Sequence, residues 1–150
     1  MGDYTTPNST QWYKIVPEMN ENFCVDIENA TWADGQNIHL WTYAGTSNQL
    51  WKFIADVDGY YNIVSKGGPT FGIDDPYGNT TNGTQLKIWT LTGDNQKWKL
   101  TDAGEGFCRI SAKASDAAYI DLENGNAANG SKLQIWQRGD YTRWKLVPVE

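Results

Sequence analysis

Polarity alternates along the chain in short stretches, and turn residues separate them. Trp12-Tyr13-Lys14-Ile15-Val16 reads as a strand, and Phe23-Cys24-Val25-Asp26-Ile27 reads as a second. A polar loop from Asn29 to Gln36 carries the turn pair Asp34-Gly35. Asn37-Ile38-His39-Leu40-Trp41 is a third strand, Ala44-Gly45-Thr46-Ser47 a further turn, and Leu50-Trp51-Lys52-Phe53 the fourth strand. No stretch shows a helical period. The whole pattern then recurs twice. Asp26, Asp74 and Asp121 are each followed after nine residues by a glycine (Gly35, Gly83, Gly130). Six residues further on stands a tryptophan (Trp41, Trp89, Trp136). A second tryptophan closes each block (Trp51, Trp98, Trp144), and Ile15, Ile63 and Ile110 stand eleven residues before the aspartates. A period of this size marks repeated supersecondary units that share one core. A single block is too small to bury a sufficient core, so the three should close on one another. The expected fold is all-β, with about four strands in each of three repeats.

Strand alternation sorts the side chains by face. In the third strand of each block the inward residues are Ile38 and Leu40, Leu86 and Ile88, and Leu133 and Ile135. His39 and Trp41, Lys87 and Trp89, and Gln134 and Trp136 therefore point outward. Val25 and Ile27 face in, so Asp26 faces out, and Asp74 and Asp121 do the same after Ile73 and Ile120. Asp75 breaks the pattern, since it falls where the other blocks have Ile27 and Leu122. Core packing accounts for Trp51, Trp98 and Trp144, which alternate with Phe53, Leu100 and Leu146. It leaves Trp41, Trp89 and Trp136 unexplained. Each block is thus expected to offer solvent an indole beside an unpaired carboxylate, a candidate recognition surface. A pyranose suits it: its C–H face stacks on indole, and its hydroxyls donate to a carboxylate. Asn48 and Asn95 lie in loops able to reach the same pockets.

Composition narrows the partner. Eight Trp and eight Tyr against four Phe favour rings with a polar tip, as found at wet binding surfaces. A net charge of -6 argues against nucleic acid. No apolar run approaches the roughly 20 residues of a membrane-spanning helix. No signal peptide is visible, so the chain reads as cytoplasmic or as a mature fragment of a secreted protein, with the balance toward secretion. Thr5-Thr6-Pro7-Asn8-Ser9-Thr10 resembles the end of a linker, making residues 1–11 a tail. Cys24 and Cys108 occupy non-equivalent positions; they read as two small buried hydrophobes, with a single bridge as the alternative. Asn82 and Asn129, both in glycosylation sequons, immediately precede repeat glycines, where a glycan would crowd the turn. Catalysis is not expected. The three aspartates should be spread around a threefold axis, too far apart to act on one bond. One His, no nucleophile motif and no metal cluster complete that reading, and no cofactor is implied.

Gln49-Leu50-Trp51 and Gln96-Lys97-Trp98 resemble the Q-x-W signature of the ricin B-type lectins and of carbohydrate-binding module family 13; Thr142-Arg143-Trp144 keeps only the Trp. The run Cys24-Val25-Asp26-Ile27 with Ile38-His39-Leu40-Trp41 and Asn48-Gln49 is similar to a whole subdomain of that family, and the resemblance covers about residues 12 to 147. It implies a β-trefoil with pseudo-threefold symmetry, a single domain over 12–150 with repeats at about 12–56, 57–103 and 104–147. It also implies one sugar site per repeat. In the first, Asp26 would take hydroxyls, Trp41 stack, Asn48 bind a further hydroxyl and Gln49 brace the site, with His39 standing where the family often has Gln. In the second the corresponding residues are Asp74, Trp89, Asn95 and Gln96, with Lys87 in the Gln place. In the third they are Asp121, Gln134 and Trp136, while Tyr141 and Thr142 replace the Asn-Gln pair. Two or three sites are expected to work. The implied ligands are mono-, oligo- or polysaccharides and glycoconjugates, with galactose or N-acetylgalactosamine leading. The alternatives are a xylan-, arabinan- or galactan-targeting module attached to a glycoside hydrolase, and a protein-binding trefoil such as a protease inhibitor.

Overall fold

In the computed structural model, residues 4–137 and 139–150 are described. Among them twelve strands form: β1 (Trp12–Pro17), β2 (Phe23–Ile27), β3 (Ile38–Thr42), β4 (Trp51–Ala55), β5 (Tyr61–Ser65), β6 (Phe71–Asp74), β7 (Lys87–Thr90), β8 (Trp98–Gly104), β9 (Phe107–Ala112), β10 (Ala118–Leu122), β11 (Leu133–Gln137) and β12 (Trp144–Val149). The strand boundaries expected for the first block agree to within two residues. Six strands close a ring: β1 pairs β12 and β4, β5 pairs β4 and β8, and β9 pairs β8 and β12, all antiparallel. The remaining strands pair as three hairpins, β2–β3, β6–β7 and β10–β11, one per block. This is the β-trefoil, and closure leaves no barrel edge to pair with another chain.

Inward residues of all three blocks fill one core. Ile15, Ile63 and Ile110 lie in it with Trp51, Trp98 and Trp144, all essentially inaccessible. The closing tryptophans also position the hairpins. Their indole N–H groups donate to Val25 O at 3.1 Å, Ile73 O at 2.8 Å and Ile120 O at 2.9 Å. Each acceptor immediately precedes a repeated aspartate, so the buried ring fixes the strand that carries the carboxylate.

The repeat glycines make the joints between blocks. Gly35, Gly83 and Gly130 have φ of 86°, 93° and 88°, a region costly for residues with a Cβ. Their amides donate to Ile88 O, Ile135 O and Leu40 O of the next block round. The residue before each glycine adds a side-chain acceptor. Asp34 receives the Thr90 amide, Asn82 the Gln137 amide and Asn129 the Thr42 amide, each at 2.7 Å. Thr90, Gln137 and Thr42 directly follow the outward tryptophans Trp89, Trp136 and Trp41. The turn of one block therefore holds the outward indole of its neighbour, in a closed cycle of three.

Three described residues before β1, namely Tyr4, Asn8 and Gln11, touch the barrel. Tyr4 packs on the core cluster, the Asn8 amide donates to Tyr13 Oη at 2.8 Å, and Gln11 Nε2 donates to Val149 O at 2.8 Å. Cys24 and Cys108 are free and buried, and burial pushes both thiols up to about 12.

Candidate functional site

Each hairpin carries an open cavity, and each cavity has the repeated aspartate at its base. The sequence pattern correctly sets these aspartates on the face away from the core, but they do not stand free in solvent. Asp26, Asp74 and Asp121 are only 5%, 2% and 2% exposed. In the first two blocks the reason is the 3-10 turn before the closing strand, Ser47–Gln49 in the first and Asp94–Gln96 in the second. It folds over the carboxylate and hands it amide donors.

The first block shows the full arrangement. Asp26 and His39 face each other across β2–β3, and Asp26 Oδ1 lies 2.8 Å from His39 Nε2. An ionised carboxylate only accepts, so Nε2 carries the hydrogen. Asp26 Oδ2 accepts from Asn48 Nδ2 at 3.1 Å and Gln49 Nε2 at 3.0 Å. The Gln49 carbonyl in turn accepts the Ala44 and Gly45 amides at 2.7 and 3.1 Å. Gln49 thus ties the carboxylate to the loop that rims the cavity. Trp41 is 42% exposed, and its ring stacks on His39 with centroids 5.2 Å apart at 23°. The cavity holds about 270 Å³, and Asp26, His39, Trp41, Asn48 and Gln49 all line it.

The second block keeps part of this set. Gln96 Nε2 donates to Asp74 Oδ1 at 2.5 Å, and Gln96 Oε1 accepts the Thr92 and Gly93 amides. Burial raises the Asp74 pKa, with the Gln96 hydrogen bond opposing it. Asp74, Trp89, Asn95 and Gln96 line a cavity of about 170 Å³. Lys87 does not line it, contrary to the expectation from its place opposite Asp74. Its ammonium turns to the first block, donating to Asn37 Oδ1 at 2.7 Å and Gly35 O at 3.3 Å, where two fixed acceptors hold the charge. Trp89 is half-buried, because the Gly35 turn lies against its ring.

The third block is the most altered. Gln134 Nε2 donates to Asp121 Oδ2 at 2.9 Å. Thr142, in the Gln place, is buried and makes no bond to Asp121; its hydroxyl donates to Gly139 O and accepts from Arg109 Nε at 3.1 Å. Burial, reinforced by Glu123 and opposed by Gln134, raises the Asp121 pKa to about 6. Trp136 is 38% exposed. Tyr141 lines the cavity of about 370 Å³ with Asp121, Gln134 and Trp136. Its ring sits so close to Gly125 that a Cβ there would lie 2.5 Å away.

Asp75 follows the inward direction its position dictates. It is 1% exposed, and neither carboxyl oxygen has a hydrogen-bond partner among the described residues. Burial first, and the Asp74 charge second, push its pKa up to about 7.

Several cavity residues escaped the sequence reading. The residue three places after each repeated aspartate lines every cavity: Asn29, Tyr77 and Asn124. A constant offset was the available signal. Glu123 and Asp140 add two carboxylates to the third cavity. Among the described residues, no cluster of His, Cys, Asp and Glu is arranged to hold a metal ion, and no helix is long and apolar enough to cross a membrane.

The comparisons agree with this architecture. The chain resembles the designed threefold-symmetric protein ThreeFoil, with 30% identity, a TM-score of 0.86, and coverage of 92% of this chain and 99% of that one. It resembles an exo-β-1,3-galactanase from Clostridium thermocellum with 29% identity and a TM-score of 0.85 over 96% of this chain, which spans 31% of the galactanase. The Macrolepiota procera ricin B-like lectin, solved with lactose, shares the fold at 22% identity and a TM-score of 0.77, covering 95% of this chain and 99% of that one. Among curated proteins, none matches in sequence. The family model for ricin-type β-trefoil lectin-like domains matches residues 4–89 and again 47–136, overlapping frames that follow the internal repeat. The chain belongs to this family of ricin-type β-trefoil lectin-like domains, which supports carbohydrate binding in general and is typically non-catalytic.

Proposed function

We propose that the chain binds saccharides without acting on them, at up to three sites, one per block, with galactose- or N-acetylgalactosamine-bearing glycans as leading ligands. The observation that carries this reading is the first-block cavity. A carboxylate held by His39, Asn48 and Gln49 lies at its base, with the exposed face of Trp41 beside it. An apolar plate next to a rigid acceptor matches a sugar's C–H face and the hydroxyls on its edge. A single shallow site of this kind should bind with a dissociation constant near 1 mM, about -4 kcal/mol. Three on one rigid body raise apparent affinity on a multivalent surface. A glycan array followed by titration with lactose tests the reading. Trp41→Ala, Trp89→Ala and Trp136→Ala should each remove one site while the melting temperature holds. Unfolding of these variants, or silence across all glycans, overturns it.

A second reading is a polysaccharide-targeting module of a larger secreted glycoside hydrolase. Its support is the 29% identity to part of a galactanase chain. Depletion of the protein from solution by insoluble galactan, arabinan or xylan, with no response to lactose, would favour it.

A further inference from the structure

The position three residues after each repeated aspartate adopts a left-handed backbone in every block: φ is 58° at Asn29, 60° at Tyr77 and 56° at Asn124. Asparagine tolerates this region and tyrosine is disfavoured there. A strained aromatic residue is normally compensated by packing, yet Tyr77 is 91% exposed. Tyr77 instead lines the second-block cavity, which is also lined by Trp89 and Asp74. That cavity is the smallest of the three, at about 170 Å³ against 270 and 370 Å³. Strain kept without a stability return points to a role in the site.

We propose that Tyr77 and Trp89 form a two-sided aromatic slot, and that it selects pyranoses whose ring hydroxyls are all equatorial, of the xylose and glucose type. This deepens the sugar-binding reading above and rests on it. The stereochemistry follows from the ring. An all-equatorial pyranose directs axial C–H groups to both faces, so each face can stack on an aromatic plate. Galactose has an axial O4, which makes one face polar and leaves it unpaired against a second ring. The first block, with Asn29 in place of the tyrosine, offers one plate, and suits a sugar with one apolar face. Tyr77 is thus the specificity-determining residue of the second site. Asn95, which also lines the slot, supplies an amide for the hydroxyl edge.

The test is a chemical-shift titration of the intact protein with methyl β-xyloside and, separately, methyl β-galactoside, read at the indole N–H signals of Trp41, Trp89 and Trp136. The expected result is a Trp89 response to the xyloside and a Trp41 response to the galactoside. Tyr77→Asn should weaken the xyloside at Trp89 roughly tenfold, leave Trp41 unchanged, and keep or raise the melting temperature by relieving the backbone. Tyr77→Phe should retain binding, because the face and not the hydroxyl makes the slot. A Trp89 response that survives Tyr77→Asn, or that favours the galactoside, overturns the slot. Silence at Trp89 with a response at Trp41 overturns the slot alone, whereas silence at all three indoles overturns the broader reading with it.

Discussion

The first and third blocks place an aspartate at the same point of the same hairpin, yet the two carboxyls live differently. Asp26 has three side-chain donors from His39, Asn48 and Gln49. Asp121 has one among the described residues, from Gln134, while Thr142, in the Gln place, is tied to Arg109 instead. Burial, which the Gln134 hydrogen bond only partly opposes, raises the Asp121 pKa to about 6. The second block extends the series: Asp75, next to the site carboxylate, is buried with no donor and titrates at about 7. A shared backbone therefore sets where a carboxyl sits; burial raises the pKa of Asp74, Asp75 and Asp121, and amide donors, where present, oppose that rise.

The largest test of that idea removes the extreme case. Asp75→Leu restores the residue type found at Ile27 and Leu122 and should stabilise the protein at neutral pH by on the order of 3 kcal/mol. The sign follows from linkage. The folded pKa of about 7 exceeds the ordinary 3.8, so the neutral carboxyl stabilises fully below about pH 4, and the benefit is lost as pH rises through about 7. Urea unfolding at pH 4 and pH 8 should show the wild type losing stability and the variant losing much less; equal slopes would refute the assignment.

Removing donors from the best-served carboxyl is the complementary change. Gln49→Ala leaves Asp26, the Thr42 carbonyl and the Ala44 and Gly45 amides short of partners, and should cost about 2 kcal/mol. It should also abolish binding at the Trp41 site. An unchanged unfolding midpoint would mean that water replaces the amide without loss.

The third block should be the acid-sensitive site. Sugar hydroxyls donate to the ionised carboxylate, so protonating Asp121 competes with ligand. With a pKa of about 6, acidification from pH 7 to pH 5 should weaken binding at Trp136 about tenfold. A flat profile at Trp136 would show that this carboxylate does not meet the ligand. The smallest effect is expected from Thr142→Gln. A second donor to Asp121 should lower its pKa and strengthen binding at pH 5, by less than about 1 kcal/mol; the midpoint of the same pH titration reads it.

Much of the molecule was legible in the chain. Period-2 alternation set which residues of β3, β7 and β11 enter the core, because side-chain direction in a strand is a local property. The constant offsets marked the three aspartates, the joint glycines and the two classes of tryptophan, because each block must solve the same packing problem. Pairings between distant residues were not legible. The donors that bury Asp26 come from 22 and 23 residues away. Lys87 opposes Asp74 in sequence register but finds Asn37, 50 residues back, across the joint between blocks. Thr142 looked like a lost amide, and only the fold shows Arg109 taking it up. Direction along a strand is fixed by neighbours in the chain, whereas the partner a polar group takes is settled by competition among all groups that folding brings within reach.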